Sequence, residues 1–123
     1  MSALTKDFRV NDVPNLQVLY DHGVSVEFDD MSGRHVRLSF QQTVAYRLTV
    51  EDCFDFSTLT NQENEYRTLM ELHNSEWKSQ LYRESVQNFQ PINSNSLRHF
   101  VLILGDVVLE IVAENYRVSF EAR

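Results

Sequence analysis

The chain has 123 residues, of which 18 are acidic and 11 are basic, and its formal net charge at pH 7 is −7. This length predicts a single domain over residues 1–123, large enough to bury a core without metal ions or disulfide bonds. An acidic protein is repelled by phosphate backbones, so the charge argues against direct binding of nucleic acid.

Alternating apolar residues predict a series of strands in the first half of the chain. A short strand follows the turn signal at 11–15 and ends before a second turn at 21–23. Three further strands carry apolar side chains on one face, namely Val24, Val26 and Phe28, then Val36, Leu38 and Phe40, then Val44, Tyr46, Leu48 and Val50. We expect the apolar faces of the first two of these strands to point inward. In the last strand the apolar residues lie on one side, with Arg47 and Thr49 on the other.

The middle of the chain predicts one or two helices. Ser75 is a suitable N-cap, and the apolar spacing after it predicts a helix over about 75–87. Residues 61–73 are ambiguous. Thr60 and Glu63 have the spacing of a capping box, which favours a helix, but apolar residues within the segment also alternate as they would in a strand.

The C-terminal quarter predicts a three-stranded meander. Gly105 and Asp106 suit a type II′ hairpin turn, and a second tight turn at 114–115 would bring a third strand back beside the second. The predicted cross-strand pairs are Leu104–Val107, Leu102–Leu109, Phe100–Ile111, Ala113–Tyr116, Ile111–Val118 and Leu109–Phe120. The whole pattern predicts an α+β domain: a mostly antiparallel sheet with this C-terminal three-stranded meander and one or two central helices.

No sequence motif defines a cofactor or metal site, and we expect neither. The three glycines are far apart, and the four histidines fall on separate predicted elements. Cys53 is the only cysteine, which excludes an intramolecular disulfide and predicts a reducing, cytoplasmic compartment. No window approaches the roughly 20 apolar residues that span a bilayer, so no membrane association is expected.

One polar pair lies within the predicted hairpin. His99 and Glu110 fall diagonally across it, on the face opposite Phe100, where a carboxylate could orient the imidazole. We interpret them as a surface or half-buried pair without an organised site around them, and catalysis is the alternative. Four apolar residues share that face and require a cover, either from the chain itself, which we expect, or from a partner; they are Val101, Ile103, Val108 and Val112.

Negative charge is concentrated in residues 51–76. This segment holds seven acidic residues against Arg67 alone, a net charge of −6. A solvated face is one interpretation, and a docking surface for a basic protein is the other. The candidate protein-binding residues are Glu51, Asp52, Asp55, Glu63, Glu65 and Glu71.

Three segments together resemble a family of small, uncharacterised bacterial cytosolic proteins. They are residues 40–51, the motif Asn-Ser-Glu-Trp at 74–77, and Arg98-His99-Phe100 followed by Asp106 and Glu110. The resemblance covers roughly residues 24–121, and some members look like the immunity proteins found beside polymorphic toxins. It implies no activity, but it does imply an extended segment at 65–72.

These observations predict an acidic, cytoplasmic protein-binding module without enzymatic activity, such as an immunity-type inhibitor of a basic toxin. An acidic surface suits the masking of a basic cleft. A small-molecule-binding protein or enzyme that uses His99 and Glu110 is one alternative. A homo-oligomeric module that uses the hairpin or a free strand edge is another, so a monomer and a homodimer both remain open.

Overall fold

The computed structural model describes residues 2–3, 8, 10, 17–20, 23–54, 68–88 and 96–121. Within these ranges the chain is mostly antiparallel β-structure with one α-helix, which agrees with the α+β class only at that coarse level. The strands are β1 (Ser2–Ala3), β2 (Gln17–Tyr20), β3 (Val24–Asp29), β4 (His35–Gln41), β5 (Ala45–Val50), β6 (Met70–Leu72), β7 (Arg98–Leu104), β8 (Val107–Ala113) and β9 (Asn115–Glu121).

Helix α1 (Glu76–Gln87) begins after Ser75, whose side chain accepts a hydrogen bond from the Lys78 N–H. This is the only α-helix in the described residues, so of the one or two central helices predicted there, one is present. Residues 61–67 lie outside the described part, and β6 makes 70–72 extended. No helix in the described ranges has the length and apolar character needed to cross a bilayer.

The strands form two antiparallel sheets with the orders β1-β6-β7-β8-β5 and β2-β3-β4-β9. The hairpin of β7 and β8 has the predicted register, with Phe100 opposite Ile111 and Leu102 opposite Leu109. Gly105 has a φ of 63°, and Asp106 is not among the residues with positive φ. A positive φ at the first turn position alone is the requirement of a type II′ turn, so this turn is confirmed.

The predicted three-stranded meander is wrong, because β9 does not return to β8. It pairs with β4 in the other sheet, with Tyr116 opposite Phe40 and Val118 opposite Leu38. A two-residue hairpin turn at 114–115 would need a positive φ at Glu114. Among the described non-glycine residues, only Gln42 and Asn74 have positive φ. The chain therefore bends at Glu114 and continues into the second sheet.

Two long strands make a shared corner between the sheets. One runs from β4 into β5 and the other from β8 into β9, and they pair on both sides of the bend. Gln41 faces Asn115 and Ala45 faces Val112, so three residues on the first strand oppose two on the second. Such an extra residue bends a strand, which is how strands pass between packed sheets. Gln42, with a φ of 54°, absorbs the bend.

Replacing Gln42 by glycine is expected to stabilise the protein by about 1 kcal/mol, because glycine adopts the left-handed conformation without the penalty that a Cβ imposes. Gln41→Gly is the matched control. It places the same residue in a regular strand position, where glycine should destabilise by about 0.5–1 kcal/mol. Urea denaturation of both variants measures the two effects, and equal destabilisation would contradict the role of Gln42 in the corner.

The main core lies between the two sheets. The predicted inward faces of β3 and β4 are buried, and aromatic rings join the layers, with Phe100 5.2 Å from Phe40 and 5.5 Å from Tyr116 between centroids. The opposite face of the hairpin is also buried, since Val101 and Val108 are both 0% exposed and pack in a second cluster with Met70. The chain itself therefore covers that face, as expected.

Candidate functional site

The structure separates the acidic residues that the sequence grouped. Glu51 and Asp52 are exposed in a 3-10 turn that directly follows β5. Glu71 lies on β6, with β7 and β8 between it and β5, and its carboxylate is 2.8 Å from Arg98 Nη2. Glu71 is therefore neutralised locally and distant from the other two. Asp55, Glu63 and Glu65 lie outside the described residues.

Strand β5 exposes the apolar side chains that the alternation placed on one side of it. Tyr46 and Leu48 lie opposite Ile111 and Leu109, so they do share the face that looks toward the second sheet. The strand is at the edge of its sheet, however, and the face there is uncovered. We call this set the β5 stripe: Val44, Tyr46, Leu48 and Val50, which are 37%, 44%, 50% and 57% exposed.

The other long side of β5 is also open in the described part of the chain, since its only strand neighbour there is β8. An edge strand presents unpaired N–H and C=O groups that can pair with a further strand. Natural edges are usually protected by charged side chains, prolines or bulges. Here Arg47 is the only charged residue within the strand. Among the described residues this edge therefore has little of that protection.

His99 and Glu110 are fully buried, at 1% and 2% exposure, so the interpretation as a surface or half-buried pair is wrong. They occupy the predicted diagonal positions of the hairpin, and His99 Nε2 is 2.9 Å from Glu110 Oε1. A third group that the sequence did not suggest completes the array. Ser75 Oγ lies 2.6 Å from His99 Nδ1 and is itself buried.

The hydrogen bonds assign a direction to this array. A carboxylate only accepts, so the neutral imidazole carries its proton on Nε2 and donates it to Glu110. Nδ1 is then an acceptor for the Ser75 hydroxyl, while the Ser75 oxygen accepts the Lys78 N–H at 3.0 Å. The Ser75 hydroxyl thus donates to the His99 imidazole, which in turn donates to the Glu110 carboxylate.

Arg47 binds both carboxylate oxygens of Glu110. Its Nε is 2.7 Å from Oε2 and its Nη2 is 3.1 Å from Oε1, and its guanidinium lies 4.1 Å above the ring of Trp77. Burial alone would raise the pKa of Glu110, but the hydrogen bonds from His99 and Arg47 and the charge of Arg47 outweigh it and hold that pKa below its usual value. Glu110 therefore remains ionised in the folded protein.

The array lies at a cleft of about 490 Å³. Its walls combine the array with aromatic, aliphatic and polar side chains, including Arg47, Thr49, Cys53, Phe54, Leu72, Asn74, Glu76 and Trp77. We expected no organised site around the pair, and this is wrong as far as geometry goes, because the pair is buried and lines a cleft. No group of three or more His, Cys, Asp or Glu residues suited to a metal occurs in the ranges that the structure describes.

Ser75 and Arg47 were not predicted from the sequence as members of this site. Ser75 was identified only as a helix cap, and the same hydroxyl performs both tasks. Arg47 was placed correctly on the face opposite the β5 stripe, and that face is the one that carries Glu110. The sequence did not indicate that β5 pairs with β8, and it is this pairing that sets Arg47 opposite Glu110.

Comparison of the chain with protein-family models, with curated proteins and with solved structures found no match to any of them. The resemblance to a family of small bacterial cytosolic proteins accordingly stays a prediction.

Proposed function

We propose that this chain is an acidic, cytoplasmic protein-binding module that takes a strand of a basic partner protein along the open edge of β5. The observation that carries the proposal is the β5 stripe, in which three alternating apolar side chains of an edge strand continue the alternation of Val44 just before it. An immunity-type inhibitor of a basic toxin is the particular form that we favour.

Strand addition uses both properties of this edge. The backbone of an incoming strand would pair with the free side of β5, and alternate apolar side chains of that strand would lie against Tyr46 and Leu48. Main-chain hydrogen bonds then supply affinity, and the apolar contacts supply specificity. Burying the stripe would also remove a surface that is costly to leave in water.

Charge selects the kind of partner. Glu51 and Asp52 stand exposed at the end of β5, and the chain as a whole carries a net charge of −7. A second copy would bring the same charges and be repelled, whereas a basic protein would be attracted before contact. These charges favour a basic partner over self-association. A reducing cytoplasm also suits an exposed, unpaired Cys53.

Binding is expected to weaken at least tenfold in Leu48→Asp, because the change places a charge in the centre of the apolar contact. Leu19→Asp is the matched control, since Leu19 is 49% exposed on another edge strand, β2, and Leu48 is 50% exposed. The probe is the purified product of the gene that neighbours this one, and the measurement is the dissociation constant. Equal weakening by both variants would overturn β5 as the site.

The acidic end of β5 is tested separately. The double variant Glu51→Lys, Asp52→Lys should slow association and flatten its dependence on salt, while stability stays within about 0.5 kcal/mol. A salt series of association rates measures this. Wild-type rates in the double variant would reduce these acids to solubility features. No binding by the wild-type chain, or a stripe-dependent dimer in sedimentation, would reject the proposed basic partner.

A further inference from the structure

We propose that Ser75, His99 and Glu110 also form an acyl-transfer site, in which Ser75 is the nucleophile for a small ester held in the adjacent cleft. This activity goes beyond partner binding and uses the opposite face of the first sheet. The proposal is based on an arrangement that activates a nucleophile: a hydroxyl hydrogen-bonded to an imidazole, whose other nitrogen is hydrogen-bonded to a carboxylate.

The geometry meets the distance requirement on both sides of the imidazole. The contacts of 2.6 Å from Ser75 to His99 and 2.9 Å from His99 to Glu110 lie within the range for proton transfer and orientation. Glu110 is held in turn by two hydrogen bonds from Arg47. The base is therefore fixed in the tautomer that leaves Nδ1 free to receive the proton of the hydroxyl.

The position of Ser75 at the start of α1 supplies a second requirement. The first N–H groups of a helix have no partner within it, and they carry the positive end of the helix dipole. Glu76 and Trp77 are the first two residues of α1, so their N–H groups are of this kind, and both residues line the cleft together with Ser75. Backbone donors at this place suit the oxygen that becomes negative when a carbonyl is attacked.

The reaction balances with these groups and water alone. Ser75 Oγ bonds to the ester carbonyl carbon while its proton moves to His99 Nδ1, and Glu110 stabilises the resulting imidazolium. The carbon–alkoxide bond then breaks, and the alcohol leaves with the proton from Nδ1. Water adds to the acyl group through the same proton transfers, which releases a carboxylic acid and restores Ser75.

The cleft limits the substrate to a small ester. Its volume of about 490 Å³ and its apolar walls at Phe54, Leu72 and Trp77 suit a short acyl or aryl group. Arg47 and Asn74 add polar contacts at the walls.

The test is labelling of the folded protein with an alkyl fluorophosphonate, followed by peptide mass spectrometry, in a Cys53→Ala background that removes the thiol from the cleft without adding a hydroxyl. We expect one adduct, on Ser75, with Ser79 of the same helix unlabelled. Ser79→Ala should label as the parent does. Ser75→Asn should not label, although asparagine is also a good N-cap and so preserves the start of the helix.

His99→Gln separates catalysis from folding. The variant should label at least a hundredfold more slowly than the parent, because it loses the base, and circular dichroism verifies that it is folded. Hydrolysis of p-nitrophenyl acetate should fall in the same order across the variants. The absence of an adduct on Ser75 in the folded parent, or equal labelling of folded His99→Gln, would overturn the proposal. Neither result would affect binding at β5.

Discussion

Leu102→Ala is expected to lower the free energy of unfolding by about 2–5 kcal/mol, as large-to-small changes in a packed core do. Leu102 is 0% exposed in the core between the sheets, and its cross-strand partner Leu109 is equally buried. Leu109→Ala should therefore cost a similar amount. Because the two side chains are neighbours, the double variant should not show the simple sum of the two losses.

Arg117→Ala is the control for this prediction, since Arg117 is exposed on β9 and its loss should change stability by less than about 0.5 kcal/mol. Urea denaturation of the variants, with the slope of the transition compared as well as its midpoint, provides the measurement. If Leu102→Ala and Arg117→Ala unfolded at the same midpoint, the assignment of inward and outward faces would be wrong.

Glu110→Ala is expected to destabilise the protein by about 3 kcal/mol, the lower end of the range for breaking a buried charge pair. The change leaves the Nε2 proton of His99 buried without its acceptor. Arg47, whose side chain is 48% exposed, can recover hydration, which keeps the loss from being larger. Thermal and urea unfolding measure the loss, and a change below about 1 kcal/mol would contradict the burial of the array.

The pH dependence of stability gives a second measurement of what Glu110 contributes to the free energy of unfolding. Its pKa in the folded protein lies below the ordinary value of 4.5, so its contribution is fully present above that pH and is lost as the pH falls through the folded value. Glu110→Gln should therefore be less stable than the wild-type chain near neutral pH, but it should lose less stability than the wild-type chain as the pH falls. Asp30 has a lowered pKa as well: burial opposes the shift, and hydrogen bonds from Ser32 and Arg34 outweigh it. The double variant Glu110→Gln, Asp30→Asn should show a still weaker acid dependence.

The parts of the fold that the sequence predicted are those set by local chemistry. Gly105 determines the hairpin turn, and strict alternation determines which side chains of each strand share a face. The same reasoning failed at Glu114. A tight turn there would need a positive φ and the observed bend does not, and no glycine at this position indicates which of the two forms. The residue that takes the unusual angle, Gln42, is on the partner strand and carries no sequence signal.

Burial was predictable only where a strand has neighbours on both sides. The alternation of β5 is as regular as that of β4, yet Leu48 is exposed and Leu38 is buried, because β5 is at an edge. The candidate array was predictable from the sequence only in part. His99 and Glu110 follow from the hairpin register, whereas Ser75 and Arg47 reach them through contacts between segments distant in sequence.

The shared corner has a consequence for how the chain reaches its folded state. The two long strands that form it pair residue 35 with residue 121 and residue 50 with residue 107. Neither sheet can be completed until residues 107–121 have left the ribosome. During synthesis β4 therefore has β3 but not β9, and β5 waits without β8. Contacts so distant in sequence slow folding, and an exposed apolar edge in the waiting state invites aggregation. The β5 stripe is then a hazard during synthesis, before any partner can cover it.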